Sequence, residues 1–283
     1  MRATVNSEVD SVIWLRSLGE RDHGLSRRTS EDVEMWARQR GIGFEEHDVN
    51  DRGALINRMN YIAWCAKRGA RPILHFDCHG SAELGLFLEP SGEYLSWDAL
   101  ADALRQININ TGNNLVCIFG VCHGFFASGE MSLVRETPFA QIIAPRGEIK
   151  SGFLEERLPR FYASLFETKD FSGAFTEHLA KKFENLHCQK LLADCLAGYV
   201  VNYMMGQKRK ASIEDLVSEA ISVLRIKPTT DTLRPVRRLI KAEHRMTSEL
   251  IKYLAQPFLI NRPPAFTADT INKMAEAIRR QTT

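Results

Sequence analysis

The sequence predicts an α/β fold built on a mostly parallel sheet, and three observations carry that prediction. Across residues 1–205, short apolar runs alternate with stretches whose apolar residues recur at helical spacing. The segments between most of them are long enough for a helical crossover, the connection that parallel neighbours need. Two of the apolar runs end in the same tripeptide, Cys78-His79-Gly80 and Cys122-His123-Gly124. Open α/β sheets place their chemistry at the carboxyl ends of parallel strands.

Taken in order, Val12-Ile13-Trp14-Leu15 reads as a buried first strand, followed by a polar loop rich in Arg, Asp and Gly. Thr29 with Asp32 gives a capping pattern for a helix that buries Val33, Trp36 and Ala37. Gly41-Ile42-Gly43 ends it, and 44–49 form the second strand. A helix over 53–68 carries Leu55, Met59, Ile62, Ala63 and Ala66 on one face and leads into the third strand, which closes on Cys78-His79-Gly80. Leu86-Phe87-Leu88 and Tyr94-Leu95 flank a Pro-Ser-Gly turn and predict a hairpin. Ser96 caps the next helix, the fourth strand ends at Cys122, and Phe139 to Ala144 is a fifth apolar run. Helices over 152–168 and 171–205 complete this part. Beyond it, Ser212 opens an amphipathic helix, and two more stretches, 232–257 and 267–280, predict a small helical C-terminal extension.

The 283 residues, 44% hydrophobic and 25% charged, are ordinary for a globular chain. No apolar run approaches the roughly 18 residues of a membrane span. The first ten residues are too acidic and polar for a secretory signal, so a cytoplasmic location is expected. The six cysteines lack the dense spacing of a disulfide scaffold, and Cys65, Cys117, Cys188 and Cys195 fall within apolar patterns as core residues. Charge divides unevenly: residues 1–205 carry a net −5 and residues 206–283 a net +7. The change falls at a polar, basic, linker-like stretch, 206–212, which marks the expected boundary between a domain over 1–205 and an extension over 206–283.

A histidine at one strand end and a cysteine at the next suggest a thiol nucleophile and its base. His79 and Cys122 meet that description. Gly80 admits a close approach of the backbone to a substrate carbonyl, and the amides of Gly80 and Cys122 are candidates for an oxyanion hole. The repeated tripeptide leaves a mirror assignment open, Cys78 with His123. Strand neighbours point to opposite faces, so only one pair can face a shared cleft.

The order of these elements resembles the caspase-like clan of cysteine peptidases, in particular the CHAT branch found in bacteria. Phe76-Asp77-Cys78-His79-Gly80 is similar to the clan's histidine motif at the end of the third strand, and Gly120-Val121-Cys122-His123-Gly124 to its cysteine motif at the end of the fourth. The hairpin with Gly92, the segment Leu95-Ser96-Trp97-Asp98-Ala99-Leu100, and the stretches from Pro138 to Gly147 and from Phe161 to Phe166 extend the resemblance, which covers roughly residues 10 to 200 and not the tail. It implies a three-layer α/β/α sandwich and a cysteine endopeptidase with His79 as base and Cys122 as nucleophile, needing no metal or cofactor. It further implies a protein substrate, an activating protein partner and a role in bacterial defence or programmed death. Metacaspase-like members carry Asp two residues before the nucleophile, where this chain has Gly120, so that route to a basic P1 preference is missing. Arg16 or Arg21 could instead bind an acidic side chain, and Asp77 could orient His79, shape the pocket, or bond locally to backbone.

Two rival readings remain at this stage. Two Cys-His pairs suggest zinc, although adjacent Cys and His on a strand diverge and structural sites space their ligands by two to four residues. The basic run Arg234-Pro235-Val236-Arg237-Arg238-Leu239-Ile240-Lys241 suggests a catalytically silent module that binds a protein or, less favoured, a nucleic-acid partner. Phe125-Phe126 beside Ala127-Ser128-Gly129-Glu130 suggests either a pocket loop that a partner or a cut orders, or two phenylalanines packing under the sheet edge.

Overall fold

The computed structural model describes residues 7–225 and 227–282; the first residues of the proposed non-signal N-terminus lie outside them. Strands β1 (Ser11–Ser17), β2 (Gly43–Asp48), β3 (Pro72–Ser81), β6 (Val116–Phe119) and β7 (Gln141–Pro145) are parallel, with β4 (Gly85–Leu88), β5 (Glu93–Leu95) and β8 (Phe183–His187) antiparallel to their neighbours. The order across the main sheet is β2-β1-β3-β6-β7-β8, and the β4–β5 hairpin hangs from the end of β3. The predicted α/β class with a mostly parallel sheet and a helical C-terminal region is what the chain adopts.

Helices cover both faces. Helices α1 (Glu20–Gln39), α4 (Ser151–Thr168) and α5 (Phe171–His178) pack on one, and α2 (Arg52–Ala66) and α3 (Trp97–Asn110) on the other. Strict alternation along the strands divides the core between them. On β1, Val12 and Trp14 join the α1/α4 side while Ile13 and Leu15 join the α2/α3 side. On β6, Val116 and Ile118 face the first and Cys117 and Phe119 the second. Each such fully buried large side chain contributes roughly 1.5–3 kcal/mol of transfer free energy.

Several local expectations are corrected. The loop expected after β1 is the first part of α1, whose first turn carries Glu20 and Asp22 in favourable positions against the helix dipole. Thr29 lies inside that helix and bonds back to the Leu25 carbonyl rather than capping. The segment expected as one helix over 171–205 contains β8, whose polar residues suit a sheet edge paired on one side only. β6 stops at Phe119, so Cys122 lies in the turn beyond it. Cys117 and Cys188 are buried, but Cys65 is half-buried and Cys195 exposed.

The chain divides into two compact units, one running through Cys188 and including Gln256–Arg262, the other comprising Gln189–Ala255 and Pro263–Thr283. The expected linker is helical: 206–212 open α7 (Gly206–Leu224), preceded by α6 (Cys188–Tyr199) and a π-helical turn at Val200–Met204. The helix expected over 232–257 is broken into α8 (Thr230–Glu243) and α9 (Ser248–Phe258), because the Thr247 hydroxyl accepts from the Leu250 amide and starts a new helix. The last helix is α10 (Ala268–Thr282). Within the second unit, His244 Nε2 lies 2.9 Å from the Tyr203 carbonyl, and Arg237 forms a two-pronged pair with Glu214 at 2.7 Å.

Candidate functional site

The alternation that sorts the core also sorts the first tripeptide, which lies on β3. On β3, Ile73 belongs to the α1/α4 side, and His75, Asp77 and His79 follow at two-residue steps. Leu74, Phe76 and Cys78 join the opposite core. Burial, reinforced by the adjacent Asp77 carboxylate, pushes the Cys78 thiol well up. Val121 likewise enters the α2/α3 core, while Cys122 lines a cleft together with His79. His123 adopts a left-handed backbone, φ 61°, and its ring meets Phe126 edge-on at 5.9 Å. His79 and Cys122 therefore share the cleft; Cys78, although packed in the opposite core, also borders it, and His123 does not.

That cleft has a volume of about 220 Å3 and opens outside the carboxyl ends of β1, β3 and β6. The chain passes from β1 to β2 through α1 on one face and from β2 to β3 through α2 on the other, so β1 and β3 border a topological switch point. Such crevices are where open α/β sheets bind ligands.

Within the cleft, the Cys122 sulfur accepts the Ile149 amide at 3.3 Å and lies 3.7 Å from the Ile149 carbonyl. His79 Nε2 lies 3.2 Å from Glu89 Oε2 and 3.4 Å from Asp22 Oδ2. Among the described residues no hydrogen bond joins His79 to Cys122. Glu89, just after β4, is itself held by the Gly19 amide at 2.7 Å, and any side chain at Gly19 would overlap its carboxylate. The donor atoms of Asp22, His79 and Glu89 all lie within 4.8 Å of one another, a set with which a divalent ion would compete for the imidazole. This is a different grouping from the two Cys-His pairs weighed above.

Gly80 packs where the two strand ends converge. A Cβ there would overlap the Cys122 carbonyl oxygen and lie 2.5 Å from Val121 Cγ1, so the close approach this glycine permits is to protein backbone. The Gly80 and Cys122 backbones are neighbours, as an oxyanion site built from their amides requires.

The floor of the cleft is polar. Asp77, 8% exposed, accepts from Trp14 Nε1 at 3.1 Å and from the Ser26 hydroxyl, both on Oδ2. Desolvation raises its pKa, against those two hydrogen bonds and the nearby Arg16. Asp77 thus bonds to side chains of β1 and α1, and not to local backbone or to His79. Behind it, the His75 ring stacks on Trp14 at 3.6 Å and its Nδ1 lies 2.9 Å from the Tyr162 hydroxyl. Gly120 lies over His75, whose Nε2 would be 3.3 Å from a Cβ at that position.

Neither arginine proposed for the pocket lines it. Arg16 is buried and held by Ser26, Ser30, Glu46 and Asp48, a set of partners that leaves it no part in binding an acidic side chain. Arg21 is exposed on α1 and lies outside the cleft lining. The residues that sequence reasoning missed are Asp22 and Glu89, the partners of His79, and Ile149, the partner of Cys122. Asp22 was hidden in a segment read as loop, and Glu89 in a turn where acidic residues are commonplace.

Compared with known proteins, the chain matches no protein-family model, and the curated proteins contain no match to it.

Proposed function

We propose that the protein is a caspase-like cysteine endopeptidase in which His79 is the base and Cys122 the nucleophile. The observation that carries this reading is that a thiol and an imidazole from adjacent strand ends, Cys122 and His79, line one cleft, whereas His123, the imidazole of the alternative pair, does not. With His79 Nε2 committed to Glu89 and Asp22, Nδ1 is the nitrogen left to exchange a proton with the thiol.

The reaction follows from those positions. His79 takes the Cys122 proton as the sulfur attacks the scissile carbonyl, and the Gly80 and Cys122 amides receive the developing oxyanion. The tetrahedral adduct collapses to a thioester as the protonated His79 gives its proton to the leaving amine. A water deprotonated by His79 then attacks the thioester, releases the acid and restores the thiol. The substrate is a protein, the expected setting is the bacterial cytoplasm, and an activating partner would act by bringing the thiol from the Ile149 backbone to His79. Among the described residues no helix is long and apolar enough to cross a membrane.

The rival reading, a silent module binding through basic C-terminal helices, is less favoured because Arg237 in the basic run is already paired with Glu214. The test is intact-mass labelling with a small thiol-reactive electrophile. Fast single labelling in wild type, lost in Cys122→Ala and slowed at least about tenfold in His79→Ala, supports the dyad. Slow labelling spread over several cysteines and indifferent to His79 overturns it.

A further inference from the structure

The cleft beside Cys122 has a chemical character of its own. At about 220 Å3 it is smaller than the roughly 300–1,000 Å3 of pockets that enclose a whole small ligand, and suits a single side chain. Leu18, Leu25, Leu154 and Leu158 give it aliphatic walls, and Trp14 an aromatic one. Two carboxylates, Asp22 and Asp77, line it, and no lysine or arginine does.

Asp77 is the informative member. Both of its donors, Trp14 and Ser26, bond to Oδ2, so Oδ1 is left without a partner among the described residues on a side chain 92% buried by its 8% exposure. The nearest cation cannot balance it in full. Arg16 is shared with Glu46 and Asp48, so three carboxylates stand around one guanidinium. Burying a carboxylate in this way is unfavourable unless a cation joins it. Long basic side chains meet both requirements at once, with methylenes against the leucines and a charged head reaching the carboxylate.

Resting on the reading of Cys122 as nucleophile, we propose that this cleft is the P1 subsite and selects a lysine or arginine, with Asp77 Oδ1 as the acceptor at its floor and Asp22 at its mouth. The route differs from an acidic residue at position 120, which is glycine here. It also reverses the acidic preference that Arg16 or Arg21 would have conferred.

The test compares three chloromethyl ketones that differ only at P1, lysine, its neutral isostere norleucine, and glutamate, each rate of Cys122 labelling being divided by the rate with iodoacetamide. The expected result is lysine at least about tenfold faster than norleucine and glutamate slowest, with the advantage falling as salt rises. Asp77→Asn should bring the lysine-to-norleucine ratio close to one, and Asp22→Asn, which leaves the buried floor intact, should reduce it in part. A wild-type ratio near one, or a faster glutamate reagent, overturns the proposal. His79→Gln separates the two readings: it slows every reagent if the dyad is right and leaves the ratio in place. A labelling rate indifferent to His79 with the lysine preference intact would sink the dyad and keep the cationic subsite.

Discussion

Gly80 and Cys122 are packed backbone to backbone: a Cβ on Gly80 would overlap the Cys122 carbonyl oxygen. The neighbour is main chain, which cannot swing aside as a flexible side chain can. Gly80→Ala should therefore destabilise the fold by about 1–3 kcal/mol, the usual penalty for overpacking. It should also slow Cys122 labelling by moving the two strand ends apart. Urea unfolding read beside alkylation rates checks both; an unchanged midpoint would show that the ends separate freely.

Glu89 holds His79 through Nε2 and is held in turn by the Gly19 amide. Glu89→Gln keeps an acceptor for Gly19 and removes the charge facing the imidazole. We expect Cys122 labelling to slow by about tenfold, equivalent to ~1.4 kcal/mol in the barrier, with little change in unfolding midpoint. Glu89→Ala should lose both the rate and part of the α1 anchoring. Equal labelling in wild type and Glu89→Gln would leave Glu89 as a helix anchor alone.

Thiol reactivity should follow burial and not sequence context. Cys78 has the same following residues as Cys122, yet sits in the core with its thiol pushed up by desolvation and by Asp77. Cys117 is buried in the same way. Cys195 is exposed, but desolvation and Asp194 raise its thiol too. Peptide mapping after brief native alkylation should find Cys122 modified first and Cys78 and Cys117 untouched until denaturant is added.

Acid should weaken the fold through His75. Burial, and then Arg16, lower its pKa from the usual 6.5 to about 3. Between those values the unfolded chain takes up a proton that the folded chain refuses. The contribution is complete above pH 6.5 and is lost as pH falls toward 3, at up to about 1.4 kcal/mol per unit. His187, lowered to about 4 chiefly by burial, adds in the same direction. Urea midpoints at pH 6.5, 5.5 and 4.5 should fall stepwise, and His75→Gln should flatten the dependence whatever its effect on the midpoint itself.

What was legible in the sequence is what a local period can carry. The parallel strands and their helices were visible because apolar residues recur with a fixed step, but that step left two Cys-His pairings open, and the choice of His79 with Cys122 came from the family resemblance, since Cys122 lies in the turn beyond β6. β8 was not visible because Phe183-Glu184-Asn185-Leu186-His187 is half polar and is a strand only by pairing with β7. Residues 206–212 looked like a linker because Gly, Lys and Arg are common there, yet they form helix. Arg16 was legible as a cation after the first strand; its engagement by Glu46 and Asp48 depends on β2 lying beside β1. The partners of His79 come from α1 and the hairpin, distant in sequence and fixed only by the fold.

β3 serves two sheets in succession. Through Cys78 it is braced by β1, and from His79 onward it pairs with β4 of the hairpin. His79 thus sits at a joint, and Glu89 lies on the hairpin that extends from it, while the thiol stands on the loop after β6. The geometry is that of a jaw: base and carboxylate ride together on one side and the sulfur on the other. Base and carboxylate thus share one support, the β3–β4 joint, which the Gly19–Glu89 hydrogen bond ties to the start of α1, while the sulfur rests on another.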